Sequence, residues 1–192
     1  MSWARVVSDI FSPPVVWGVF AVFIALLDAP TNQHAFLWAS VYILMVCMLP
    51  VMYIAVMVKR GEITDIHMRV REQRIKPFLV SIACTILAWL TLRYLGAPRV
   101  VPLFVLFSLA QLLIMAVITL VWQISVHAIC ITGLSVATAA FFGWLPALLT
   151  LPLIPLVGAA RLKLKRHTLA QVVAGSVVGA VVTGLLFMTL AT

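Results

Sequence analysis

Long apolar runs separated by short polar breaks are the main pattern of this 192-residue chain. About 20 consecutive apolar residues are enough to cross a bilayer as a helix. On that measure the pattern predicts about seven spans, at about 13–28, 36–58, 78–95, 101–122, 127–143, 144–159 and 168–190. The fifth and sixth spans are short, and together they could form one re-entrant hairpin. The expected fold is all-α, a single integral membrane domain over residues 1–192.

Composition agrees with a membrane protein. Hydrophobic residues make up 65% of the chain and charged residues only 9%, a balance that is not found in water-soluble domains of this size. The net charge of +8 comes from 13 Lys and Arg against 5 acids. In a membrane protein this excess indicates contact with anionic headgroups or anionic substrates. Membrane lipids are therefore expected partners, and nucleic acid is not, because the chain has no soluble basic domain.

Three polar clusters interrupt the apolar pattern: a first cluster at residues 65–77, a second at 122–128 and a third at 160–171. Two predicted spans separate the first from the second, and two more separate the second from the third. An even number of crossings returns the chain to the same side of the membrane. The sequence therefore predicts that all three clusters face one compartment, also if the fifth and sixth spans form a hairpin.

The distribution of cations predicts which compartment this is. All Lys and Arg except Arg93 and Arg99 fall on the side of the three clusters. The positive-inside rule places that side in the cytoplasm. We expect an integral protein of the plasma (inner) membrane, with its site on the cytoplasmic face, where substrates such as isoprenoid diphosphates are made.

The clusters together contain what phosphoryl transfer needs. Arg and Lys can hold the non-bridging oxygens of a phosphate. One His can act as nucleophile and a second as general acid, and four residues along a helix would bring His167 and Gln171 onto one face. Acids near a cluster occur only in the first one, whereas a magnesium site would need them from at least two positions. We therefore expect no metal and no other cofactor, and the shortage of acids argues against a prenyltransferase.

The order and spacing of these residues resemble the type-2 phosphatidic acid phosphatase superfamily, whose signature reads K-x6-R-P, then P-S-G-H, then S-R-x5-H-x3-D. The matching positions are Arg69-x6-Lys76-Pro77, Ile124-Ser125-Val126-His127 and Ala160-Arg161-x5-His167-x3-Gln171. The resemblance covers residues 59–192. The run His-Thr-x-x-Gln-Val at 167–172 is similar to the dolichyl-diphosphatase branch of the superfamily.

This resemblance implies a six-helix phosphatase core, here with one extra span, and metal-independent hydrolysis of a prenyl or related lipid phosphate or diphosphate. It implies that His167 forms a phosphohistidine, that His127 protonates the leaving group and that Gln171, where the family has Asp, orients the nucleophile. The implied phosphate ligands are Arg69, Lys76 and Arg161, with Ser125 and the amide of Val126, while Arg74 could supply the bidentate fork that Lys76 lacks.

Gln171 is neutral where the family has a charged Asp, and this leaves a second function open. Gln171 cannot stabilise an imidazolium by charge, so the alternative is a non-catalytic lipid-phosphate binder or transporter on the same scaffold. Separately, Gly175, Gly179 and Ala180 recur at the spacing of small residues in membrane helix contacts. They predict close helix packing without a functional role.

Overall fold

The computed structural model describes residues 2–66, 68 and 70–190, and all regular elements in these residues are helical. The α-helices are α1 (Trp3–Ile10), α2 (Pro13–Asp28), α3 (Asn32–Tyr42), α4 (Leu49–Lys59), α5 (Ile75–Tyr94), α6 (Val100–Val121), α7 (Val126–Phe142), α8 (Trp144–Thr150), α9 (Leu153–Lys163) and α10 (Leu169–Leu190). A π-helix, Ile43–Met48, joins α3 to α4, and a 3-10 helix, Arg71–Arg74, precedes α5. The prediction of an all-α fold is confirmed.

Five helical stretches in the described residues are long and apolar enough to cross a membrane: Asn32–Lys59, Arg71–Tyr94, Val100–Val121, Trp144–Lys163 and Leu169–Met188. Helices α1 and α2 pass the same test as a pair, which raises the number to six if they form one span. Helix α7 is apolar but shorter, with 17 residues. Several helices of membrane length are consistent with the predicted integral membrane protein.

The chain folds as two compact units. Unit 1 contains Met1–Val16 and Gln123–Thr192, and unit 2 contains Trp17–Trp122. Unit 1 therefore combines the two ends of the sequence and holds the third cluster with nearly all of the second. The described part of the first cluster belongs to unit 2.

Aromatic side chains form the core of unit 2. The ring of Trp17 on α2 meets those of Phe104 and Phe107 on α6 edge-on, at centroid distances of 5.8 and 5.4 Å. Tyr42 on α3 packs against Phe104 at 5.0 Å, and a hydrogen bond of 2.7 Å joins its hydroxyl to that of Ser108. Aromatic pairs at these distances add to the effect of burial, so this cluster fixes α2 and α3 against α6.

The π-helix ends at Met48, two residues before Pro50, which is the second residue of α4. Proline has no amide hydrogen, and its ring crowds the carbonyl group four residues earlier. The helix widens at this point, and the Leu49 amide bonds to the Leu44 carbonyl five residues back. The chain therefore stays helical through Asn32–Lys59 although it contains a proline.

Helices α7 and α10 of unit 1 run parallel. At their amino ends, the amide of Ser125 donates a hydrogen bond to the carbonyl of Gln171, at 3.1 Å. Toward their carboxyl ends, the rings of Phe141 and Phe187 pack edge-to-face with centroids 4.6 Å apart. Since α7 and α10 point the same way, the chain between them has to return, and Trp144–Lys163 is long enough for one crossing.

Two glycines of α10 allow this close approach. A Cβ atom added to Gly175 would lie 2.7 Å from the carbonyl oxygen of Ser125. A Cβ atom added to Gly179 would collide with the carbonyl oxygen of Ile129. The predicted role of these small residues in helix packing is confirmed.

Helix α9 ends in a turn that leads directly into the third cluster. The amide of Lys165 bonds to the carbonyl of Leu162 at 2.9 Å, and the amide of Arg166 bonds to that of Arg161 at 3.1 Å. These two bonds form a Schellman motif, in which the residue after the helix cap adopts the left-handed conformation. That residue is Lys165, with φ 51°, although glycine is the usual choice there.

Lys165→Gly is expected to stabilise the protein by about 0.5–1 kcal/mol, because glycine adopts the left-handed conformation without the steric cost of a Cβ atom. Thermal unfolding in detergent measures the change. Lys165→Ala is the matched control, since it removes the same charge but keeps the Cβ atom, and it should bring no gain. Equal melting temperatures for the two variants would contradict the prediction.

Candidate functional site

The second cluster forms the amino end of α7. Ser125 is the N-cap of this helix, and its hydroxyl oxygen accepts a hydrogen bond from the amide of Ala128 at 3.3 Å. Val126 and His127 are the first two residues of the helix. Amide hydrogens at a helix start point out of its end and carry a partial positive charge. The predicted phosphate ligands Ser125 and Val126 therefore lie where an anion is favoured.

His127 is buried and bonds to a residue that no motif included. Its Nε2 atom lies 3.1 Å from the main-chain carbonyl oxygen of Ser8, on α1, and 3.5 Å from the Ser8 hydroxyl oxygen. A carbonyl oxygen can only accept a hydrogen bond, so Nε2 carries a proton and donates it to Ser8.

Arg161 reaches the same serine from α9. Its Nη1 atom donates a hydrogen bond of 2.6 Å to the hydroxyl oxygen of Ser8. Arg161 is 2% exposed and Ser8 is 1% exposed. A buried guanidinium needs hydrogen-bond acceptors, and the serine hydroxyl supplies one without supplying a negative charge. The second and third clusters thus meet at Ser8.

The third cluster contains a capping box at the start of α10. The hydroxyl oxygen of Thr168 accepts from the amide of Gln171 at 3.3 Å, and Oε1 of Gln171 accepts from the amide of Thr168 at 3.0 Å. This reciprocal pair is the S/T-x-x-E/Q motif that satisfies two free amides of a helix start. Gln171 therefore stabilises the start of α10. The sequence had predicted only that Gln171, where the family has Asp, orients the nucleophile.

The same amide oxygen orients His167. Oε1 of Gln171 lies 3.3 Å from Nδ1 of His167. Because Oε1 already accepts from the amide of Thr168, the orientation of the side-chain amide is set, and Nδ1 must be the donor. In the neutral imidazole the lone pair is then on Nε2. His167 itself precedes α10, so the contact comes from the cap and not from two positions on one helix face.

The amino ends of α7 and α10 are joined to each other. The bond from the amide of Ser125 to the carbonyl of Gln171 links them directly. Two helix amino ends, two imidazoles and the guanidinium of Arg161 are thus connected within unit 1. The helix amino ends and the guanidinium favour an anion, and His167 adds an Nε2 lone pair beside them.

The first cluster is placed differently. Arg69 lies outside the described residues. Arg74 and Lys76 belong to unit 2, whereas the six other predicted site residues belong to unit 1. Arg74 is buried, and its Nε donates to the carbonyl oxygen of Met68 at 3.0 Å, so that it holds the loop before α5. Lys76 is exposed in the first turn of α5.

Two residues of the site were not predicted. Thr168 could have been recognised, because T-x-x-Q before an apolar run is a helix-start signature. Ser8 had no such signal, since it is an isolated serine far along the chain from His127 and Arg161. Comparisons of the chain with protein-family models, with curated proteins and with solved structures give no match. The function of the site is therefore inferred from its geometry.

Proposed function

We propose that this protein hydrolyses a lipid phosphate or diphosphate through a phosphohistidine on His167. The observation that carries the proposal is the hydrogen-bond set of that histidine. Gln171 accepts the Nδ1 proton and is itself held by the amide of Thr168. The tautomer with its lone pair on Nε2 is the one that attacks phosphorus.

The reaction then follows in two steps. Nε2 of His167 forms a bond to the terminal phosphorus while the bond from that phosphorus to the leaving oxygen breaks, and the leaving oxygen takes a proton from His127. The leaving oxygen is the lipid oxygen of a monophosphate or the bridging oxygen of a diphosphate. Water next attacks the phosphorus, the P–N bond breaks, and inorganic phosphate leaves as His127 regains a proton. Arg161 and the amino ends of α7 and α10 stabilise the charge on the transferring group.

The arrangement supports a lipid substrate. The helices of membrane length would place the polar clusters at the headgroup level, where a phosphate can be reached while its apolar tail stays in the bilayer. The resemblance to the type-2 phosphatidic acid phosphatase superfamily favours a prenyl or related tail. The same resemblance implies Arg69, Arg74 and Lys76 of the first cluster as phosphate ligands, and their role stays a prediction from the sequence.

The proposal extends to topology. Seven spans, a six-helix core plus one, correspond to α2, α3–α4, α5, α6, α7, α8–α9 and α10, in a single domain over residues 1–192. The parallel course of α7 and α10 supports an outward and return crossing between them. The excess of cations near the clusters supports a site on the cytoplasmic face of the plasma (inner) membrane.

A lipid-phosphate binder or transporter without catalysis is the second candidate. It is favoured by the neutral side chain of Gln171, which sets the tautomer of His167 but does not stabilise the imidazolium by charge.

Phosphate release by the full chain in detergent tests both functions. The substrates are a prenyl monophosphate, a prenyl diphosphate and phosphatidic acid, each with a metal chelator present. We expect release from at least one prenyl substrate with the chelator. Binding of all three without release would favour the binder, and release that requires added magnesium would contradict the phosphohistidine mechanism.

A further inference from the structure

Ser8 presents two oxygen atoms to the two groups that the mechanism assigns to the phosphate. Its hydroxyl oxygen accepts from Arg161 Nη1 at 2.6 Å and lies 3.5 Å from Nε2 of His127. Its carbonyl oxygen accepts the Nε2 proton at 3.1 Å. Oxygen atoms that face a guanidinium and an imidazole N–H together are what a bound phosphoryl group would supply.

We infer that Ser8 takes the place of a phosphate oxygen and that α1 closes the site until the substrate displaces it. This inference rests on the proposed function, because it needs Arg161 and His127 to be phosphate-binding groups. In the closed arrangement, the proton on Nε2 of His127 is donated to Ser8. It cannot be passed to a leaving group from that atom until Ser8 has moved away.

Helix α1 is separated from α2 by a break in the main-chain hydrogen bonds. It has eight residues and ends at Ile10, and Pro13 and Pro14 follow as the first residues of α2. Neither proline has an amide hydrogen, so the hydrogen-bond ladder of α1 cannot continue into α2. Phe11 and Ser12 therefore form a joint about which α1 can move.

One side of α1 is apolar and exposed, and at its amino end Nζ of Lys163, the last residue of α9, lies 5.1 Å from the centroid of the Trp3 ring. Trp3, Val6 and Ile10 are exposed, and their spacing puts them on one side of the helix. An apolar stripe on a short amphipathic helix binds at the membrane interface. When α1 leaves α9, this stripe can keep it at the membrane surface, so that opening does not release the helix into water.

The opposite role for Ser8 would be to position Arg161 and His127 for the substrate. The two roles predict opposite effects of the Ser8 hydroxyl on the affinity for phosphate. A positioning hydroxyl improves phosphate binding, whereas a hydroxyl that competes with phosphate weakens it. Removing only the hydroxyl oxygen therefore distinguishes them.

Ser8→Ala is expected to bind phosphate about tenfold more tightly than the wild type, because the closed state loses a hydrogen bond to a charged group. The dissociation constant is measured on the full chain in detergent, with inorganic phosphate and with a prenyl monophosphate as separate probes. Ser2→Ala is the matched control, since Ser2 is the N-cap of the same helix and its side chain makes no capping bond. Ser8→Asp should weaken binding of both probes, because its carboxylate would pair with Arg161.

Hydrogen exchange of the unmodified protein gives a test that does not depend on the folding of a variant. Saturating inorganic phosphate should speed amide exchange in residues 2–12, because a displaced helix is less protected. Unchanged or slower exchange in α1 would overturn the inference.

The binding results also separate this inference from the proposed function. If wild type and Ser8→Ala bind inorganic phosphate equally well, or if the variant binds it more weakly, closure by α1 is wrong and the phosphate site stands. If neither protein binds either probe, both proposals are wrong. If Ser8→Ala binds the prenyl phosphate more tightly than the wild type but binds inorganic phosphate equally well, Ser8 does not compete with the phosphate group. In that case α1 would exclude the prenyl tail, and the inference would be wrong.

Discussion

His167→Ala is expected to lower the rate of phosphate release from a prenyl phosphate by about 10³-fold or more, because it removes the nucleophile and no covalent intermediate can form. The initial rate in detergent with a chelator present is the measurement. His34→Ala is the control histidine: His34 is exposed in unit 2 and hydrogen-bonds to Thr31, so its loss should leave the rate unchanged. A wild-type rate in His167→Ala would exclude the phosphohistidine.

Two variants of the capping box test whether Gln171 orients His167 or only caps α10. Thr168→Ala removes the cap bond to the amide of Gln171 but keeps the bond from Nδ1 of His167 to Oε1. It should cost about 1 kcal/mol of stability and little of the rate. Gln171→Ala keeps that cap bond, because its donor is the main-chain amide of residue 171. It removes Oε1, the acceptor for both the amide of Thr168 and Nδ1 of His167, so it should lower the rate as well. Equal rates in the two variants would show that Gln171 acts only as a cap.

Gly179→Ala is expected to destabilise the protein by about 3 kcal/mol, through overpacking of the contact between α7 and α10. The atoms that the new methyl group would meet are the carbonyl oxygen, the carbonyl carbon and the Cα of Ile129. They belong to the main chain of a helix and cannot rotate away as a side chain can. Thermal or denaturant unfolding in detergent measures the loss.

Gly184→Ala is the matched control on the same helix. A Cβ atom at Gly184 has no neighbouring atom within 4 Å. Alanine has the higher helix propensity, so this variant should be as stable as the wild type or up to about 1 kcal/mol more stable. Equal stability of the two variants would contradict a close contact at Gly179.

The positions of the helices were largely readable from the sequence. Predicted spans at 13–28, 101–122 and 127–143 agree with α2, α6 and α7 to within about one residue at each end. The physical reason is that the bilayer offers no partner for main-chain polar groups, so a long apolar run must satisfy them within its own helix. Helix α1 was not predicted, because eight residues are too few for a membrane-length pattern.

Local contacts within the site were also within reach of the sequence. The contact between His167 and Gln171 joins residues four apart, and the cap between Thr168 and Gln171 joins residues three apart. Such contacts depend on spacing and on residue type, both of which can be read along the chain. The packing role of Gly175 and Gly179 followed from their spacing in the same way.

The tertiary structure alone decided which groups meet at Ser8. This serine is 119 residues from His127 and 153 from Arg161, and no periodicity connects positions so far apart. The contacts exist because α1 packs on α9 and α9 packs on α7, which unites the two ends of the chain in unit 1. By itself the sequence determined the helices and the short-range polar contacts, since apolar length and local spacing specify them. The packing of helices distant in sequence determined the site.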